Sequence, residues 1–145
     1  MLAEVVRRPA LPEAAPRQVQ RVLLAFDGSP GAWAALDQAI DIAVGQRALL
    51  TIAGVVGEPT LWTGFGPVIM PITREMLQRD LERDMQRKLA AARDEVPATV
   101  SVTTQVVRGR PVPALAALAE EGGYDLVLAG PRSAGRLRRV LNAVT

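Results

Sequence analysis

The feature that most constrains this fold is a series of short apolar blocks separated by segments with helical periodicity. The blocks Val22–Phe26, Ala48–Val56 and Tyr124–Ala129 contain few polar residues, which is typical of strands buried on both faces of a sheet. The segment Thr99–Val107 alternates apolar with polar residues, which indicates a strand nearer the sheet edge. The chain therefore supplies both central and edge strands.

The segments between these blocks have the spacing of amphipathic helices. In the first, apolar residues recur at helical intervals from Trp33 to Val44, and Gly45 marks the end. The same spacing predicts further helices at 73–94, 112–121 and 137–144. Strands that alternate with helices in this way predict an α/β fold, a doubly wound parallel sheet with helices on both faces and right-handed crossovers.

The length of 145 residues fits one domain, preceded by an arm of different composition. Residues 1–20 carry three prolines among alanines and charged residues, which predicts a flexible or loosely docked arm before a domain at 21–145.

The chain has no cysteine and no histidine, so it lacks the commonest general base, the commonest metal ligand and any thiol nucleophile. We therefore expect it not to be an enzyme. No apolar run approaches the roughly 18 residues of a membrane span, so we expect a cytoplasmic protein.

Positive charge is concentrated at the C-terminal end, although the net charge is only +2. Residues 130–145 hold four arginines and no acidic residue. Such a patch can meet phosphate or nucleic acid, but a solvated helix face is the commoner arrangement. Because no aromatic residues are interleaved with the arginines, we do not expect nucleic-acid binding.

Two turns, Asp27–Gly31 and Gly130–Gly135, each follow a buried strand and lead towards a helix. In a doubly wound sheet, such turns lie side by side at the carboxyl ends of adjacent strands, where ligands bind. The carboxylate of Asp27 suits a ribose hydroxyl or the magnesium that accompanies a polyphosphate. The small residues of the second turn allow backbone N–H groups to approach a phosphate, and Arg132 and Arg136 add positive charge.

The same residues also have purely structural explanations. A carboxylate just before a helix, such as that of Asp27, often serves as an N-cap or Asx-turn residue, and Gly130 fits a tight strand-to-helix turn. The long segment Gly57–Pro71 is either a functional loop or a local cover over a helix end. The sequence alone leaves each of these alternatives open.

Four motifs resemble those of one known family. The stretch Val22–Pro30 resembles the opening Val-x-Val-Asp-Gly-Ser of universal stress protein domains, and Val106–Pro111 resembles their Gly-x-Pro turn. Tyr124–Arg132 is similar to their Ala-Asp-Leu-Ile-Val-Met-Gly-Ser-Arg, and Arg136–Leu141 is similar to the Gly-Leu-Arg-Arg-Leu-Leu that follows. These motifs occur in order from residue 21 to the end, and by this resemblance the chain is identified as a member of that family.

The resemblance implies an adenine nucleotide alpha hydrolase-like sandwich with five parallel strands, usually assembled as a homodimer. The sequence ends where the family adds its fifth strand, which often pairs across the dimer. We therefore expect a sheet without that strand. Either the protein is naturally short, or the chain is truncated, or another segment covers the edge that the strand would occupy.

The resemblance also implies a ligand. One branch of the family binds ATP or another adenine nucleotide through Gly-x-x-Gly, nine further residues, and then Gly and Ser/Thr. By this resemblance, the adenine lies near Val55 or Val56, Asp27 lies by the ribose and phosphates, and the glycine-rich segments hold the phosphates. The site residues that it implies are Ala25, Asp27, Gly28, Val55, Ala129, Gly130, Arg132, Ser133, Ala143 and Val144.

The chain departs from this signature. Gly130 matches, but Ser133, Ala143 and Val144 stand for the second glycine, the third glycine and the hydroxyl residue. Val144 offers no hydroxyl to a phosphate, and the added Cβ atoms crowd backbone that should approach the ligand. One function that remains is a stress-response regulatory module that weakly binds ATP, AMP or cyclic AMP, with Mg²⁺ carried by a polyphosphate. The other is a nucleotide-independent module that acts through protein–protein association, which the apolar loop Leu61–Ile69 favours.

Overall fold

The computed structural model describes residues 4–7, 19–57, 61–63, 66–68 and 71–143. Within these ranges the strands are β1 Glu4–Arg7, β2 Arg21–Ala25, β3 Leu49–Val56, β4 Leu61–Thr63, β5 Gly66–Val68, β6 Val102–Arg108 and β7 Leu126–Ala129. The helices are α1 Pro30–Gln46, α2 Pro71–Asp94, α3 Pro111–Glu121 and α4 Pro131–Ala143.

The main sheet has the strand order β1-β7-β2-β3-β6. The pairs β7–β2, β2–β3 and β3–β6 are all parallel, which confirms the predicted parallel α/β architecture. The apolar strands β2, β3 and β7 are central, and their residues are almost all buried. Strand β6 lies at the edge with mostly exposed or half-buried side chains, as its alternating sequence predicts.

Helices cover both faces of this sheet, and each face has its own apolar core. On one face, Val22 and Leu24 of β2 pack with buried residues of α1 and α2. On the other face, Leu23 and Ala25 pack with buried residues of α3 and α4. Successive residues of one strand therefore enter opposite cores, and the doubly wound arrangement is confirmed.

Helix α1 differs in two respects from its prediction. It continues through Gly45 to Gln46 and ends where Arg47 adopts a left-handed conformation with φ 55°. Trp33 and Val44 are exposed rather than buried, with 36% and 51% of their surfaces accessible. The buried stripe is instead made of small residues at 32, 35, 39 and 43 together with Leu36, which allows the helix axis to lie close to the sheet.

Helix α4 begins earlier than the sequence predicted. The segment Gly130–Gly135 was expected to be a loop, but α4 starts at Pro131, directly after Gly130. Proline is favoured at the first position of a helix because its fixed φ suits the helix and its missing N–H has no intrahelical partner there. Ala134 and Leu137 are fully buried, so packing against the sheet holds this first turn in place.

Two further segments differ from their predictions. The predicted loop Gly57–Pro71 contains a small antiparallel hairpin of β4 and β5, while the side chains at 58–73, including the apolar ones of Leu61–Ile69, lie outside the described residues. The predicted N-terminal arm contributes β1, which pairs antiparallel with β7 in the register Val5↔Leu128. This strand was missed because its partner lies more than a hundred residues away in the sequence. Strand β1 therefore covers the edge of β7. This is one of the three alternatives given above for the edge that the family's fifth strand would occupy.

A cluster of polar contacts joins the start of β7 to the neighbouring strands β2 and β3. The Asp125 carboxylate accepts hydrogen bonds from the backbone N–H groups of Gln20 (2.9 Å) and Arg21 (3.0 Å). The Tyr124 hydroxyl donates to Thr51 Oγ1 at 2.9 Å, and the Arg21 guanidinium lies 5.0 Å from the Tyr124 ring centroid. These contacts fix the start of β7 against β2 and β3.

The pairing of β1 with β7 leads to a prediction about residues 1–10. Their deletion removes β1 and exposes unpaired backbone groups along one side of β7, which favours edge-to-edge association. We expect a lower Tm, by roughly 2–4 °C for each kcal/mol lost, and larger species than the full chain forms. Calorimetry and size-exclusion chromatography with light scattering measure both. Deletion of residues 1–3 alone, which keeps β1, is the control, and equal behaviour of the two deletions would contradict the prediction.

Candidate functional site

A cleft of about 290 Å³ opens at the carboxyl ends of the central parallel strands. The ends of β2 and β3 form its floor, the start of α3 forms one wall, and the starts of α1 and α4 form its rim. The residues that line it are Ala25, Phe26, Asp27, Ser29, Pro30, Gly31, Ala53, Val55, Pro111, Leu115, Gly130, Pro131 and Ser133. This is the position at which open parallel sheets bind ligands.

The two turns that were predicted to meet are in direct contact at this cleft. Strands β2 and β7 are parallel neighbours, so the turns that follow them leave the sheet at the same edge. A Cβ atom placed on Gly130 would lie 3.2 Å from the carbonyl carbon of Gly31 and 3.4 Å from the nitrogen of Ala32. The backbones therefore touch without side chains between them, and a side chain at 130 would require the backbone of α1 to shift by a few tenths of an ångström.

Asp27 forms an Asx turn. Its Oδ1 accepts a hydrogen bond from the backbone N–H of Ser29 at 2.9 Å, which is the structural alternative considered for this residue. The N-cap of α1 is Ser29, whose Oγ accepts from the N–H of Ala32 at 3.2 Å. Asp27 is nevertheless exposed and lines the cleft, so the turn presents its carboxylate to solvent in the cleft.

Gly28 serves the turn rather than the cleft. It has a φ of 82°, which favours glycine, and it is not among the lining residues. A Cβ atom at this position would lie 3.3 Å from Cδ of Lys88, whose amine forms an ion pair with Asp84 at 3.2 Å. Helix α2 therefore supports the turn from the face opposite α3 and α4.

Strand alternation separates the two residues that the resemblance placed near an adenine. Val55 lines the cleft, whereas Val56 is buried in the core beneath α1 and α2. Ala25 also lines the cleft, while Ala129 is fully buried behind Gly130. The resemblance left Val55 and Val56 as alternatives, and the geometry brings only Val55 to the cleft.

The predicted phosphate-binding residues are dispersed along α4. Ser133 lies in the first helical turn, lines the cleft, and donates its N–H to the Gly130 carbonyl at 3.1 Å. Ala143 is the last residue of this 13-residue helix, about 18 Å along the axis from its start, so the structure does not bring Ala143 to the cleft. The side chain of Arg132 and all of Val144 lie outside the described residues.

Four lining residues lie outside the predicted site residues and the two predicted turns. Phe26 follows β2 directly, Ala53 belongs to β3, and Pro111 and Leu115 belong to α3. A signal for the α3 residues was present in the sequence, because the turn after β6 leaves the sheet at the same edge as the other two turns. Applying the strand-end rule to the third turn would have placed Pro111 at the site.

The described lining of the cleft carries little charge. Among its described lining residues, Asp27 is the one ionisable side chain. The described part of the chain contains no group of three or more acidic, histidine or cysteine residues that could hold a metal ion.

The pKa of Glu82, remote from the cleft, is lowered by its hydrogen bond from Arg108. Over the same described residues, no helix combines the length and apolar character that crossing a membrane requires.

The contact between the two turns predicts opposite effects for two glycine substitutions in the same region. Gly130→Ala forces a Cβ against the backbone of α1 and should lower the free energy of unfolding by about 1–3 kcal/mol. Gly135→Ala, the control, adds a Cβ with no heavy atom within 4 Å inside an exposed helical turn and should raise it by up to about 1 kcal/mol. Urea unfolding without any ligand measures both, and equal stability of the two variants would contradict the contact.

Comparison with known proteins identifies relatives of similar fold. The model of the Universal stress protein family matches residues 18–145. A protein from this family in Burkholderia pseudomallei is 25% identical, with a TM-score of 0.70 over 86% of this chain and 92% of that chain. Universal stress protein UspA from Lactobacillus plantarum is 21% identical, with a TM-score of 0.64 over 79% and 78% of the two chains.

A third similar structure is a universal stress protein in complex with cAMP, 27% identical over 75% of this chain and 70% of that chain. Its TM-score of 0.46 is too low for the two sites to be compared. A search of the curated proteins finds no match. Because the family model covers most of the chain, and the sheet and helices agree with the first two structures, the chain belongs to the universal stress protein family.

Proposed function

We propose that this protein is a stress-response regulatory module whose cleft binds an adenine nucleotide weakly. The observation that carries the proposal is the meeting of the Asp27 turn and the Gly130 turn over one cleft at the carboxyl ends of parallel strands. Family membership supports a regulatory role, and the position of the cleft supports ligand binding.

The chemistry of the cleft suits the parts of a nucleoside. Ala25, Val55 and Leu115 offer apolar surface to a planar base. The exposed carboxylate of Asp27 is an acceptor for ribose hydroxyl groups, and a charge-assisted hydrogen bond of this kind is stronger than a neutral one. An apolar wall beside one carboxylate is therefore the basis for recognition of the base and the sugar.

The remaining parts of the proposal follow from the resemblance and the composition. The absence of histidine and cysteine from the sequence supports a binding role rather than catalysis. We also propose a cytoplasmic homodimer, with Mg²⁺ entering only together with a polyphosphate. Light scattering of the purified full chain tests the dimer directly.

One alternative has its own support. The Asx turn of Asp27 and the packing of Gly130 explain both residues without a ligand, and Ser133 departs from the nucleotide-binding signature. On this alternative, the protein acts through protein–protein association and its cleft stays without nucleotide. A ligand titration separates the two functions.

The first test is a titration of the full chain with ATP, AMP and cyclic AMP, each with and without Mg²⁺. A ligand present at 100 times its Kd should stabilise the folded state by about 2.7 kcal/mol, which appears as a higher Tm. A shift with at least one of them is the expected result. Absence of a shift at millimolar concentrations of every ligand would favour the association hypothesis.

The second test concerns Asp27. Asp27→Asn keeps an oxygen that accepts from the Ser29 N–H but removes the charge, so the turn should persist. Because hydrogen bonds to charged groups contribute about 1.5–3 kcal/mol, we expect nucleotide affinity to fall at least about tenfold. Asp37→Asn, which neutralises an exposed carboxylate further along α1, is the matched control. Calorimetric Kd values measure the effect, and unchanged affinity in Asp27→Asn would remove Asp27 from the site.

A further inference from the structure

We infer that the cleft recognises the nucleoside part of its ligand and draws no affinity from a phosphate chain, so that it takes nucleosides and their monoesters in preference to triphosphates. This inference rests on the proposed function, because it names the class of adenine ligand that the same cleft would bind. Its basis is a shared feature of the three helices that begin at the cleft.

Each of these helices begins with proline, and all three prolines line the cleft. Pro30 starts α1, Pro111 starts α3 and Pro131 starts α4. Helix N-termini bind phosphate through backbone N–H groups that point out of the first turn. Proline has no N–H, so each of these helices lacks the donor of its first residue.

Some of the N–H groups further along the first turns are engaged within the protein. In α1, the N–H of Ala32 donates to Ser29 Oγ. In α4, the N–H groups of Ser133 and Ala134 both donate to the Gly130 carbonyl at 3.1 Å. In α3, a second proline at position 113 removes a further donor. The three helix starts at the cleft therefore offer fewer donors to an oxyanion than they would without these prolines, and the nearest N–H groups that follow are those of Gly31, Val112 and Arg132.

The charge of the cleft and its volume also favour a nucleoside over a triphosphate. The ionisable side chain among the described lining residues is the carboxylate of Asp27, which repels a polyphosphate. The cleft volume of about 290 Å³ lies at the lower end of the range of roughly 300–1,000 Å³ for small-molecule sites. Both features suit a base and a ribose better than a ligand extended by three phosphates.

The test compares adenosine, AMP and ATP on the full chain without Mg²⁺ and at constant ionic strength. Trp33 supplies the signal, because its ring is 5.1 Å from that of Phe26, which lines the cleft. A Trp62→Phe background leaves Trp33 as the single tryptophan. We expect adenosine to bind at least as tightly as ATP, with AMP within about threefold of adenosine.

The outcomes distinguish this inference from the proposed function. ATP binding tenfold or more tighter than adenosine would overturn the inference while supporting nucleotide binding at the cleft. Failure of adenosine, AMP, ATP and cyclic AMP alike, with and without Mg²⁺, would overturn the proposed function, and the inference with it. The same comparison with Mg²⁺ shows whether a cation between Asp27 and the phosphates reverses the order, which would also contradict selection for the nucleoside.

The role of the prolines is tested by restoring one donor at a time. Pro131→Ala adds an N–H at the start of α4, and we expect the affinity for ATP relative to adenosine to rise at least threefold. Pro30→Ala adds the equivalent donor to α1 and serves if the first variant does not fold. Pro97→Ala, in a turn away from the cleft, is the control. An unchanged ratio in both cleft variants would overturn the assignment of the selectivity to the prolines.

Discussion

The parallel pairing of β2 with β7 is the interaction on which the rest of this structure depends. The two strands are separated by about a hundred residues of chain, yet Leu23 lies opposite Val127 at the centre of the sheet. The Asp125 carboxylate secures this pairing by accepting from two backbone N–H groups at the start of β2. Because both strands run in the same direction, the turns that follow them leave the sheet at the same edge. The cleft lies between these two turns.

Close approach of backbones then decides which residues are tolerated around the cleft. The contact of Gly130 with Gly31 and the alanine-rich face of α1 both favour small residues, whatever the cleft holds. This explains how a chain can keep Gly130 while carrying Ser133 and Ala143 at the other signature positions. The first glycine is constrained by its packing against the start of α1, whereas Ser133 is half-buried at the cleft.

The sequence predicted structure well where a strand is buried on both faces of the sheet, because a short run of apolar residues then marks the strand. Strands β2, β3 and β7 are buried on both faces, so their apolar blocks predicted them well. It was less informative where composition conflicts with packing. Pro131–Gly135 has the composition of a loop, but Ala134 and Leu137 are buried and hold it as a helix. Strand β1 could not be predicted from its own residues, because its stability comes from a partner at the other end of the chain.

Proline at the start of a helix has two physical consequences that are usually considered separately. Its fixed φ favours the first helical turn, which helps to define where α1, α3 and α4 begin. Its missing N–H also removes a donor from the surface where a parallel α/β fold places its ligands. In this chain the same residues that define the helix starts surround the cleft, so their choice shapes the chemistry of the site as well as the fold. Replacing any of these prolines would therefore change a backbone donor at the cleft together with the geometry of a helix start.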